Sequence, residues 1–269
     1  MPNFGFSPEE LLVFFAVLVR YSTLVAVLPL TGDRTIPTPV KVLFSLAVTI
    51  ALFPTLLRNG EVRISEANSW GRTTGGIVST VVVEAMFGLI LGYVAKLCFD
   101  AINIGANMAG NFMGFAMASQ YDPHQETQSQ VIAEIQMAFA MLIFLALDGH
   151  HFMLRSAFTS YQIVGIGRAG ITEAFSRHLT DLTSQVFGFG LQLAAPVALS
   201  VFFVNVGFGI IGKALPQLNI FVLAMGVTAL VGLGVTWLAY PELATAMTSV
   251  MERMTDWMRL VSESLVKSG

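Results

Sequence analysis

IVSTVVVEAMFGLILGYVAKLCFDAINI, residues 77–104, is apolar over a length that suits a bilayer-spanning helix, for which about 20 apolar residues suffice. Only Glu84, Lys96 and Asp100 break the run. Gly88 and Gly92 form a small-xxx-small pair, so a second helix is expected to pack closely against this one. Glu84 is a functional-site candidate, because a carboxylate inside an apolar span is costly unless it is used or paired. No second carboxylate stands at helical spacing from it, which favours a hydrogen-bonded subunit contact over a proton carrier. Lys96 and Asp100, at i and i+4, are expected to pair near the helix end.

A different texture follows in GANMAGNFMGFAMASQYDP, residues 105–123. Gly105, Gly110 and Gly114 recur among Met108, Phe112, Met113, Phe115 and Met117, and each glycine weakens a helix by about 1 kcal/mol relative to alanine. Asp122-Pro123 ends the stretch. Methionine and phenylalanine pack softly and glycine permits close approach, so this composition predicts a plug or gate rather than a catalytic loop.

The rest of the chain places these two segments in a membrane-class protein. Of 269 residues, 55% are hydrophobic and 12% charged, against about 25% charged in a soluble domain; the mean hydropathy is +0.72. A net charge of -3 without a basic stripe argues against nucleic acid as a partner, and the single cysteine, Cys98, excludes an intrachain disulfide framework. The first apolar run follows Glu9 and Glu10 rather than a basic segment, so no cleavable signal is expected and the N-terminus should be retained.

Ser7-Pro8-Glu9-Glu10 reads as a capped helix start, and the helix should run to about Leu30, interrupted by Arg20 and Tyr21. Arg20 at that depth must face a protein partner, a wet cavity or a snorkelling path, and an ion pair is the reading preferred to a transport role. A second apolar run begins at Val40 and is expected to end at Phe53-Pro54. Residues 58–76, with Arg58, Glu61, Arg63, Glu66, Trp70 and Arg72, read as an extramembrane loop containing a short helix. Val131–Leu147 is a further apolar helix ending at Asp148-Gly149-His150-His151. Those residues suggest zinc, but adjacent histidines on a helix diverge and no further histidine or cysteine is nearby in sequence, so a polar turn is preferred and no metal is expected. Phe152–Tyr161 looks amphipathic, and Gly165, Gly167 and Gly170 should loosen the connection to a polar helix at 173–182. Gln185–Ile211, broken in character by Pro196, and Leu218–Tyr240 flank a very short turn containing Lys213, so they should form an antiparallel hairpin. From Pro241 the tail carries Met247, Met251, Met254, Trp257 and Met258 along an amphipathic helix suited to a membrane or a partner.

The expected fold is therefore all-α and membrane-associated, with about six long apolar helices in broken hairpins. Arginine and lysine concentrate in the 58–72 loop, the 155–177 connection and the tail, which by the positive-inside rule puts both termini in the cytoplasm and the glycine-rich stretch towards the opposite face.

Several short motifs, in this order and spacing, resemble FliR, the flagellar export-gate family to which injectisome counterparts also belong. They are Pro29-Leu30-Thr31-Gly32 with Ile36-Pro37 and Phe53-Pro54, Glu84-Ala85-Met86-Phe87-Gly88 with Gly92, Ala109-Gly110 through Met113-Gly114-Phe115-Ala116-Met117-Ala118, Asp122-Pro123, and Phe144-Leu145-Ala146-Leu147-Asp148-Gly149-His150. Where the family often has glutamine before Met-Gly, this chain has Asn111-Phe112. The Asp-Gly-His turn looks more like the flagellar branch. Leu193–Leu199 with Lys213-Ala214 and Pro216-Gln217 is similar to the two-helix gate protein FliQ.

The resemblance implies a FliP-like part over 1–183 followed by a FliQ-like hairpin and tail over 184–269. It implies a non-enzymatic subunit of the bacterial inner membrane and flagellar basal body, completing a pore with FliP and FliQ, associating with FlhB and lying near FlhA. Unfolded flagellar subunits would pass through that pore, with residues 105–121 as its plug and no cofactor required. Arg20, Glu84, Lys96, Asp100 and Lys213 would then be buried charges or subunit contacts. Two other classes compete. A secondary transporter would use Arg20, Glu84 and Asp100 as coupling charges, but no convincing inverted repeat is visible. A membrane enzyme would use Asp148, His150 and His151, but no nucleophile, zincin or paired-carboxylate spacing accompanies them.

Overall fold

A computed structural model describes residues 7–29, 36–115, 128–215, 217 and 219–266, with the backbone but not the side chains of 128–132 and 255. The described residues form helices α1 (Pro8–Val27), α2 (Thr38–Arg58), α3 (Ala67–Trp70), α4 (Thr74–Phe112), α5 (Gln128–Ala146), α6 (Gly149–Ile163), α7 (Glu173–Ala214) and α8 (Ile220–Ser264), with a short 3-10 helix at Ile64–Glu66. There is no β-strand among them beyond the isolated bridge Ala169–Val266. Five helices, α1, α2, α4, α7 and α8, are long and apolar enough to cross a membrane. Ala133–Ala146 with Gly149–Ile163 makes a sixth, broken candidate.

The expected start of α1 is present: Ser7 Oγ accepts from the Glu10 N–H at 3.1 Å, with Pro8 in the first turn. The stops expected at Pro54 and Pro241 are absent, and α7 runs through Pro196, where only a break in character was expected. Pro54, Pro196 and Pro241 lie inside α2, α7 and α8. A proline removes one helical hydrogen bond and crowds the preceding turn, but an apolar chain can keep the rest of the ladder, and these helices continue through. The polar 173–182 segment and the apolar run after it are thus one helix, as are the second hairpin arm and the tail. Likewise α4 continues through Gly105 and Gly110 to Phe112.

The chain divides into two compact units, each built from segments distant in sequence. The first comprises residues 1–97, 148–182 and 252–269; the second comprises 98–147 and 183–251. Helices α4, α7 and α8 each contribute one stretch to each unit.

In the first unit, α1 buries Val13, Ala16, Val17, Arg20, Tyr21, Leu24 and Val25, one face at helical spacing. Phe14 meets Phe53 of α2 edge-on at 5.3 Å. The close approach expected at Gly88 and Gly92 is made by α1: a Cβ at Gly88 would fall on Thr23 Oγ1 and the Arg20 carbonyl, and one at Gly92 would lie 2.9 Å from Val27 Cβ. The end of α8 closes the unit. Gly170 N–H donates to Leu265 O at 2.9 Å, and Thr172 Oγ1 donates to Ser264 O. The methionine-rich stripe lies inside the fold rather than on a membrane or partner: Met254, Trp257, Met258, Val261 and Leu265 are buried in this unit, as Met247 and Met251 are in the other.

The second unit packs small residues at its crossings. Gly105 and Gly190 meet, each Cβ position lying within 3.0 Å of the other helix's backbone or side-chain atoms. That close approach accounts for a helix tolerating Gly105. Phe99 and Phe144 stack edge-on at 5.1 Å. Outward-facing apolar side chains on α7 and α8 are largely uncovered, including Phe203 (69% exposed), Trp237 (71%) and Leu238 (77%).

Candidate gate and buried charge site

Arg20 lies on the inner face of α1, where it must be neutralised or hydrogen-bonded. Glu84 of α4 does both. Arg20 Nε donates to Glu84 Oε2 at 2.6 Å and Nη2 to Oε1 at 3.0 Å, a bidentate pair with both side chains fully buried. Two further N–H groups are used: Nη1 donates to Ser160 Oγ at 3.0 Å and Nη2 to Val164 O at 3.3 Å. The guanidinium sits between the rings of Tyr161 and Phe87, 3.8 and 4.4 Å from their centroids. Glu84 Oε1 accepts a further hydrogen bond from Gly167 N–H at 2.8 Å.

The two charges singled out separately by the sequence are therefore brought together, and four helix or loop segments converge on them. Ser160, Tyr161, Val164 and Gly167 were not legible as part of this site. The glycines after Tyr161 suggested a loose connection. Instead, Gly167 at φ 70° turns its N–H onto the carboxylate, a conformation open to glycine at little cost. A polar cleft of about 880 Å³, lined in part by Glu61, Arg63, Glu66, Tyr161 and Arg168, adjoins this loop.

The other predicted site residues divide by position. Lys96 is exposed and Asp100 half-buried on α4, and Lys213 is exposed at the end of α7. Gly105, Met108, Gly110 and Phe112 belong to α4, not to a loose segment. The helix ends at Met113-Gly114, where Gly114 at φ 89° takes the left-handed conformation usual just past a helix C-terminus. Met113 is fully buried, in a cluster with Ala109, Val197 and Val201, against which Phe115 and Val235 pack. It occupies the notch left by Gly232, where a Cβ would overlap Met113 Cγ. Thr228 Oγ1 donates to the Met113 carbonyl at 3.3 Å. Met117 and the rest of 116–121 lie outside the described residues.

Asp148 has φ 56° and stands at the start of α6. The histidines expected to diverge do not: the His150 and His151 rings are 4.1 Å apart between centroids.

Fold and site together define an all-helical protein with several bilayer-length helices, whose deepest charges engage each other instead of lining an open site. The chain belongs to the bacterial export proteins, family 1, which it matches over residues 11–254. It is 27% identical over 215 residues to the flagellar biosynthetic protein FliR of Bacillus subtilis (strain 168), covering 79% of this chain and 80% of that one. It is 26% identical over 232 residues to FliR of Escherichia coli (strain K12), covering 86% and 85% respectively. It is also 26% identical over 246 residues to FliR of Caulobacter vibrioides, covering 91% and 95%.

Proposed function

We propose that this chain is the FliR-type subunit of a flagellar type III protein export gate in the bacterial inner membrane. The observation that carries the reading is the similarity to FliR proteins along nearly their whole length. The uncovered apolar surface of α7 and α8 supports it, since such a surface needs lipid or protein neighbours. In this reading the chain is non-enzymatic. Residues 1–183 act as a FliP-like part and 184–269 as a FliQ-like hairpin and tail, completing a pore with FliP and FliQ beside FlhB and FlhA. Both termini face the cytoplasm, and unfolded flagellar subunits are the cargo.

The plug expected over residues 105–121 is then confined to the part that follows α4, since residues 105–112 belong to that helix. Met113 in the Gly232 notch is its root, and Gly114, in the left-handed conformation, is where the chain leaves α4. A secondary transporter would need uncommitted charges at its centre, and the mutual engagement of Arg20 and Glu84 speaks against that alternative. Gentle detergent extraction of tagged protein from native membranes tests the proposal. The expected result is one large complex containing FliP-like and FliQ-like proteins; a solitary species that binds a small solute would overturn it.

A further inference from the structure

The turn between α5 and α6 carries a feature that the export reading does not use. Asp148, His150 and His151 offer one ligand atom each, and these atoms lie within 4.8 Å of one another. We infer that this turn is a binding site for a divalent transition-metal ion of the zinc class, held by the Asp148 carboxylate and the two imidazoles. The inference does not depend on the export-gate reading.

Successive side chains on a regular helix diverge by about 100°, which argues against a site made from neighbours in sequence. Here the left-handed Asp148 and the first turn of α6 bring both rings together, 4.1 Å apart and tilted by 39°. His151 Nδ1 stands 3.2 Å from Asp148 Oδ1. Zinc bonded to nitrogen and oxygen at about 2.0–2.2 Å places tetrahedral ligand atoms about 3.3 Å apart, so that edge of the site is already formed. The widest separation must contract by roughly 1.5 Å to match it. Side-chain rotation can supply this, because Asp148 and His151 are about 70% exposed (71% and 69%).

A second observation points the same way. His150 Nδ1 is withdrawn from solvent and has no hydrogen-bond partner among the described residues, so it is a ring nitrogen open to a ligand. Two imidazoles and one carboxylate suit zinc, nickel or copper better than calcium or magnesium, which prefer oxygen. Three protein donors leave a fourth position for water. The helix dipole at this end disfavours a cation, so all three donors should be needed.

The test uses the full chain, purified in detergent with a tag free of histidine and cysteine, loaded with zinc and dialysed against metal-free buffer. One zinc per chain is expected. Asp148→Asn, His150→Gln and His151→Gln should each weaken binding by about tenfold or more, whereas the double variant His124→Gln/His178→Gln should retain it. Zinc below stoichiometry, or retention unchanged in His150→Gln and His151→Gln, overturns the assignment. Cobalt added to the unaltered chain gives a reading independent of variant folding. Intense tetrahedral visible bands are expected, and only the weak spectrum of hydrated cobalt would overturn the site.

Discussion

Removing one member of the Arg20–Glu84 pair should be far more harmful than removing both. Glu84→Leu leaves the guanidinium buried with Ser160 Oγ, Val164 O and two aromatic faces, none of which carries a formal charge to neutralise it. Arg20→Met leaves a buried carboxylate whose one remaining partner among the bonds described above is Gly167 N–H. Breaking a buried pair in this way costs about 3–5 kcal/mol for each single variant. The double variant Arg20→Met/Glu84→Leu removes both charges and fills the space with apolar atoms. It leaves Gly167 N–H without its acceptor and Val164 O without its guanidinium donor, together about 2–6 kcal/mol. Ser160 Oγ keeps its bond to Ala157 O at 2.6 Å. The singles then sum to about 6–10 kcal/mol against about 2–6 for the double, a coupling of about 4 kcal/mol between the middles of the two ranges. Equilibrium unfolding of the four proteins in mixed micelles, with tryptophan fluorescence as the signal, measures this cycle. Additivity to within about 0.5 kcal/mol would refute the pairing as the source of the stability.

Three further outcomes follow from the packing. Tyr161→Phe should stay within about 1 kcal/mol of the parent, because the hydroxyl has no partner among the described residues while the ring lies over Arg20; Tyr161→Leu should lose about 1–2 kcal/mol more through the cation–π contact, read from the same unfolding curves. Gly88→Ala should lower the thermal midpoint by forcing α1 away, at about 1–3 kcal/mol, whereas Gly188→Ala, with nothing within 4 Å of its Cβ position, should be neutral or stabilising by up to about 1 kcal/mol. Met113→Ala should cost about 2–5 kcal/mol of unfolding free energy. In the assembled complex the same variant should make cells leak small ions, and unchanged permeability there would count against the plug.

The helical, membrane-class character was legible because it rests on length and hydropathy, which are local. Arg20 and Glu84 each stood out as costly charges, but they are separated by 64 residues and nothing in either segment announces the other. The remaining partners were hidden for a related reason. Gly167 matters through one N–H, and its residue type suggested only freedom. Proline was read as a stop at Pro54 and Pro241 and as a break in character at Pro196, because its local cost is visible in sequence and the support from surrounding turns and neighbours is not. The methionine stripe of the tail was correctly amphipathic. Periodicity shows that such a face must be covered, without saying whether lipid, partner or the chain's own core covers it. The left-handed Asp148 had no sequence signal strong enough to bring two adjacent imidazoles together.

The interleaving of the two units also sets an order on biosynthesis. The first unit includes residues 1–97, yet its last pieces are residues 252–269, which are made only after every stretch of the second unit. Translation at about 5–20 residues per second therefore keeps α1 and α2 waiting for a strap that does not yet exist. Until Leu265 and Val266 reach the 169–170 segment, the nascent chain carries an unfinished apolar seam. A premature stop near residue 250 would leave that seam permanently open, giving a quality-control protease a mark by which to tell truncated chains from complete ones.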